Sequence, residues 1–290
     1  MEIGIGLAAA VALLTNLASL LKHRGCQSAQ PVRITRPLSS ARGLAGSPWF
    51  LAGWGLAAFA WLIHIAALSL APISIVQAVL AGGAITLAVL SQRFFGERVE
   101  ARQWLGLVLG AGGLALLVAT LPQIHGSHSG FSLAAIASFE GGLILLAAGV
   151  ALAHRAERLA ARRGVLLAIL AGLLFALAGI AIKGLTGGDH SALPLIGVLV
   201  VLTVACGGLA QYTTVAALQS GDAIETIGLM GLVANATQIV GGILVFGDPL
   251  SPSPIGIALQ ASAFAMVCLS ALLMPSSKDA RATPASLQPQ

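Results

Sequence analysis

Apolar runs of roughly 20 residues, broken by short polar or charged stretches, recur from one end of the chain to the other, and a helix needs about 20 residues to span a bilayer. The predicted helices cover residues 4–21, 48–70, 72–92, 102–121, 132–153, 164–185, 193–218, 223–246 and 254–274. Barrel strands alternate apolar and polar positions, and these runs do not. Backbone in lipid must satisfy its own hydrogen bonds, so each run reads as helix. Pro72 separates the second helix from the third, because proline cannot continue a helix. The expected fold is an all-α polytopic membrane protein with nine transmembrane helices.

Composition agrees with that pattern. The chain is 57% hydrophobic and 9% charged, too few charges to cover a soluble surface. The net charge of +5 does not point to nucleic acid, because the basic residues sit in short loops between apolar runs. Cys26, in a basic loop, and Cys206 and Cys268, in apolar runs, suggest neither a disulfide framework nor a metal-ligand spacing. No cofactor is implied.

Charge placement orients the helices. Glu2 precedes the first run and Lys22, His23 and Arg24 follow it, the reverse of a signal peptide, so an uncleaved first helix is expected with its N-terminus outside. With nine helices, every Lys and Arg except Lys183, of 15 in all, then falls on the cytoplasmic side, the C-terminal tail included. Eight or ten helices would push one basic cluster outside. A thiol label on Ser127→Cys should therefore react from outside intact cells, and one on Ser39→Cys should not. The opposite pattern would remove the basis for this orientation.

The chain also repeats itself. Ala67-Leu68 is echoed by Ala217-Leu218, Phe95-Gly96-Glu97 by Phe246-Gly247-Asp248, and Leu105-Gly106-Leu107 by Ile255-Gly256-Ile257, a period suited to a duplicated half-protein. Under the nine-helix orientation the first Gly-acid turn is cytoplasmic and its echo lies outside. Residues 1–121 form one repeat and 164–275 a second, inverted one. A crossing fifth helix with its loops, 122–163, lies between them, and a mobile cytoplasmic tail, 276–290, follows. Inverted repeats are a frequent signature of secondary transporters, whose halves can exchange conformations.

Ala67-Leu68, Ala71-Pro72, Phe95-Gly96-Glu97-Arg98, Gln103, Gly106 and Gly112-Gly113 together resemble the repeat unit of the drug/metabolite transporter (EamA-like) superfamily. They also resemble the third and fourth helices of the small multidrug resistance proteins. Leu21-Lys22, Gly25, Trp49, Gly53, Ile182-Lys183-Gly184-Leu185 and Gln211 are similar to the NIPA-type magnesium transporter branch, which also has nine helices with the N-terminus outside. The chain departs from that branch at Ile224-Glu225-Thr226-Ile227-Gly228, where a Thr-Pro kink would stand. The resemblance implies a transporter and, through that branch, magnesium as a substrate.

Within the spans, Glu140 is the sharpest chemical signal. It sits about eight residues from the outer end of the fifth helix, roughly 12 Å deep at helical rise. There a carboxylate must be paired, protonated or in contact with water. It is a candidate proton, cation or metal site, against the plainer reading of a neutral acid in a helix-packing bond. Asp222 suits an N-cap, and Glu225, one turn further, fits either a capping box or a substrate site. His64, Gln77, Gln211, Asn235 and Gln238 are uncharged polar residues in apolar runs. Each alone is explained by a bond to a neighbouring helix; together they could line one polar path. Lys183 at a helix end fits snorkelling. His125 and His128 fit an exposed loop better than a metal site, and Gly126-Ser127-His128-Ser129-Gly130 fails as a hydrolase elbow because its third residue is histidine.

These features predict a transporter, not an enzyme, in the inner membrane. It would carry a small molecule or cation by alternating access, with a homodimer left open. A magnesium carrier, a flippase of lipid-linked solutes and a non-transporting scaffold are the alternatives. The scaffold requires the six residues His64, Gln77, Gln211, Glu225, Asn235 and Gln238 to scatter over unrelated faces.

Overall fold

The computed structural model describes residues 2–27, 43–94, 99–120, 130–156, 159, 162–187, 193–220, 223–248 and 251–273, and among them there is no strand. The helices are α1 (Glu2–Gln27), α2 (Pro48–Leu70), α3 (Ile73–Gly82), α4 (Ala84–Phe94), α5 (Ala101–Ala119), α6 (Leu133–Ala153), α7 (Arg163–Gly187), α8 (Leu193–Ser220), α9 (Ala223–Val245) and α10 (Pro254–Leu273). Counting α3 and α4 as one run, Ile73–Phe94, seven helices among the described residues are long and apolar enough to cross a bilayer. The chain is a multi-pass membrane protein.

Local chemistry places several boundaries. Ser47 caps α2 by accepting from the Phe50 N–H, with Pro48 in the first turn, where its missing N–H costs nothing. Ser132 caps α6 through the Ala135 N–H. Pro72 separates α2 from α3, as its position in the sequence predicts. The predicted first helix is shorter than the real one, which carries Lys22, His23 and Cys26 onward as buried helical positions rather than loop. The predicted third helix is interrupted once, at Gly83, whose N–H bonds the Leu80 carbonyl across a tighter turn. The Gly83 carbonyl accepts from Asn16 Nδ2 at 2.6 Å and from the Thr86 hydroxyl at 2.6 Å. The same carbonyl also accepts from the Leu87 N–H at 3.1 Å, so the helical ladder resumes directly after the tighter turn. The Phe95–Arg98 turn, the 125–130 loop up to Ser129, Asp222 and the tail beyond Leu273 lie outside the described residues.

The tightest packing joins α1 to α2, α7 to α8, and α5 to α10, while α9 lies against α7 and α3 near the centre. Glycine makes the first of these close. A Cβ on Gly25 would sit 2.6 Å from the Phe50 backbone nitrogen, and one on Gly53 would sit 2.8 Å from the Ala18 carbonyl oxygen. Both obstacles are backbone, so the helices must part to accept a side chain. Gly53→Val should therefore lower stability by about 1–3 kcal/mol, the usual cost of overpacking. Thermal unfolding in detergent measures this, with Gly55→Val, at a glycine with open space around it, as the control that leaves stability unchanged.

Candidate functional site

A cavity of about 540 Å³ lies among α1, α2, α3, α4, α5, α7, α8, α9 and α10. Its walls are mainly Ala, Gly, Leu and Val, with Trp54 and Trp61 from α2. Five residues singled out in the sequence line it together: His64, Gln77, Gln211, Asn235 and Gln238. They come from α2, α3, α8 and α9, so their convergence is a tertiary fact. The Gln77 amide donates to Gln238 Oε1 at 2.9 Å and contacts His64 Nε2 at 3.2 Å. Gln238 in turn donates to the Ala234 carbonyl at 3.3 Å. A Cβ at Gly179 would collide with the Gln238 amide, so that glycine makes the space in which the amide sits. The Gln77 carbonyl oxygen is buried without a protein partner among the described residues.

Among the described residues, Lys22 is the charged residue of the cavity wall. It is 3% exposed and donates through Nζ to Gln211 Oε1 at 3.1 Å, across 189 residues of sequence. Asn16, Ser19 and Thr203 add polar groups to the wall. The sequence reading passes over Asn16, although a polar residue inside an apolar run carries the same signal as Gln77. Lys22 it places at the end of a helix beside a basic loop, where burial has no local signature.

The cavity stops short of the bundle end where α2, α7 and α9 finish. A polar cluster closes that end. Lys183 is fully buried and donates to the Leu68 carbonyl at 2.8 Å and the Ala71 carbonyl at 3.0 Å. These are terminal carbonyls of α2, which have no partner within their own helix. Lys183 also interacts electrostatically with Asp248, which is 2% exposed and accepts from the Ser74 hydroxyl. Gly247, at φ 69°, turns the chain so that the Asp248 N–H reaches the Gly242 carbonyl at 2.9 Å. A Cβ at Gly242 would meet both Ser74 and Asp248. Snorkelling is thus the wrong account of Lys183: its ammonium points inward because the α2 carbonyls and Asp248 replace water.

Glu140 does not line the cavity. It belongs to the one buried stripe of α6, with Ile136, Leu143 and Ala147, and that stripe packs into the apolar cluster around Leu173, Leu177 and Ile180 of α7. Glu140 is 4% exposed, and both carboxylate oxygens are buried without a hydrogen-bond partner among the described residues. Glu225 is buried in the first turn of α9, also away from the cavity wall. Among the described residues, no three His, Cys, Asp or Glu side chains gather as a metal site.

No family model matches the chain, and no solved structure matches it. A relative among curated proteins does. The chain is 25% identical over 285 residues to a protein of Arabidopsis thaliana described as probable magnesium transporter NIPA9, covering 94% of this chain and 82% of the relative. The likeness therefore runs through nearly the whole bundle, cavity walls included.

Proposed function

We propose that the protein is a secondary transporter of the inner membrane, and not an enzyme. It moves a small solute or cation by alternating access around the cavity, in the manner of the drug/metabolite transporter superfamily. The observation that carries this reading is the meeting of His64, Gln77, Gln211, Asn235 and Gln238, from four helices, on one cavity. A scaffold has no use for such convergence.

Nine spans follow if α5 and α10 also cross. They have 19 and 20 residues, about 28–30 Å at 1.5 Å per residue, and they pack on each other. The inverted repeat is supported by a reciprocal crossing. Lys22, on the first helix of one half, bonds α8, the second helix of the other half; Lys183, on α7, bonds α2. In an inverted repeat, a two-fold axis in the membrane plane would exchange the two contacts. With the N-terminus outside, the Lys183 cluster is the outer seal and the cavity lies on the cytoplasmic side, an inward-facing arrangement.

Reconstitution in liposomes tests the reading, with Mg²⁺ and a trapped indicator in one assay and labelled carboxylates, amines and sugars in the other. Asn235→Leu should reduce the observed flux at least tenfold, because the Asn235 amide faces the cavity. Val201→Leu, at an exposed position outside the cavity wall, should leave it unchanged. Liposomes that carry nothing above the empty control, or flux indifferent to Asn235→Leu, would refute the proposal.

Magnesium is the second reading, favoured by the name of the Arabidopsis relative. Mg²⁺ is usually held by one or two carboxylates with retained waters. Glu140, with Glu225 at the start of α9, is a buried carboxylate that could meet it.

A further inference from the structure

The cavity's charge points to a substrate class, on the reading that the cavity is the transport site. We infer that it binds an organic monoanion, a carboxylate on an apolar body, with the carboxylate on Lys22 and the body along the tryptophan wall. Lys22 has three N–H donors, and one is used by Gln211. Its amine is buried, and no carboxylate is paired with it among the described residues. A buried ammonium without a counter-ion is costly, and an arriving carboxylate supplies that counter-ion through charge-assisted hydrogen bonds. Among the described residues the wall contains no Asp or Glu, so a bare divalent cation there would meet a like charge and no anionic ligand. A single lysine also matches a single negative charge; a phosphate monoester carries about two near neutral pH.

The rest of the wall suits the body of such a solute. Trp54 and Trp61 line one side, and both are also about half exposed at the bundle surface. Val204, Gly207 and Gly208 of α8 line the cavity as well. Although α2 and α8 share the wall, they hardly pack on each other, and Val204 is 68% exposed. The cavity therefore opens sideways, between two helices, toward the hydrocarbon. An apolar body can extend into that opening, while its charged end stays on the buried ammonium.

Tryptophan fluorescence reads this directly, since two of the chain's four tryptophans line the cavity. The protein in phosphatidylcholine nanodiscs is titrated with 4-phenylbutyrate and, separately, with its neutral amide. The acid should bind at least tenfold more tightly than the amide. Lys22→Gln should lower affinity for the acid at least tenfold and leave the amide unchanged, while Lys22→Arg, which keeps the charge, should stay within a fewfold of the parent. Mg²⁺ should not displace the acid. Equal binding of acid and amide to the parent would overturn the inference even if both variants failed to fold. So would an unaffected Lys22→Gln, or displacement of the acid by Mg²⁺ or by added phosphatidylglycerol. Binding without flux in liposomes would reject the transporter reading and keep this site; Mg²⁺ flux without acid binding would do the reverse.

Discussion

Lys183→Met should destabilise the protein by about 3–5 kcal/mol, the usual loss when one member of a buried charged group is removed. The methionine fills similar volume but donates nothing. The Leu68 and Ala71 carbonyls lose the donor that reaches them at 2.8 and 3.0 Å, and the buried Asp248 carboxylate loses its cation. Adding Asp248→Asn should recover part of the loss, because an uncompensated charge is then no longer buried and the amide oxygen can still accept from Ser74. The double variant should thus be more stable than the two single effects summed would allow, by at least about 0.5 kcal/mol, the lower range for coupled neighbours. Thermal unfolding in detergent supplies all four corners of this cycle. Strict additivity, or a Lys183→Met protein as stable as the parent, would mean that the cluster does not hold that end of the bundle together. If the cluster is the outer seal, the single variant should also become reactive to an impermeant thiol reagent at Ser74→Cys from outside, where the parent background is protected.

The Lys183–Asp248 cluster illustrates what the sequence conceals. Lys183 and Asp248 are visible in it, one at a helix end and one in the repeated Gly-acid turn, but nothing local says that they meet. Helix existence is easy to read, since a 20-residue apolar run leaves the backbone few alternatives. Pro48–Leu70 and the starts of α8, α9 and α10 fall where the pattern puts them. Which face of each helix turns inward is not legible. A span that is apolar toward lipid and apolar toward its neighbours has little periodicity to read, and α6 and α8 show this. Polar residues escape that limit, because lipid excludes them and so assigns their face. That is why Gln77, Asn235 and Gln238 stand out in the sequence without any knowledge of their cavity. The same rule extends to Glu140 only halfway: it faces protein, but the protein there is the apolar α6–α7 seam and not the shared cavity. Lys22 is the opposite case, a residue at a helix end that looks solvated and is instead bonded to α8.

Glu140→Gln should separate accumulation from exchange. The glutamine has the shape of the protonated acid and cannot ionise, so the variant should fold and insert as the parent does. A carboxylate with both oxygens buried and unpartnered among the described residues is stable when neutral and costs several kcal/mol when charged. If the protein alternates between conformations, such a carboxylate could take up a proton or a cation in one of them. Its position would suit such coupling, because the α6 stripe rests on α7, the helix that also carries Lys183. A proton-coupled carrier with Glu140→Gln should lose net accumulation in a pH gradient by at least tenfold, while exchange of labelled for unlabelled substrate continues, because the cavity is untouched. If Glu140 instead holds Mg²⁺, the cation supplies the compensating charge and the variant loses accumulation and exchange together. Parent-like transport across the whole pH range would leave Glu140 as a packing residue, and coupling would have to be sought at Glu225. Measuring both fluxes on the same reconstituted protein distinguishes these outcomes, since a folding defect would lower them in proportion and a coupling defect would not.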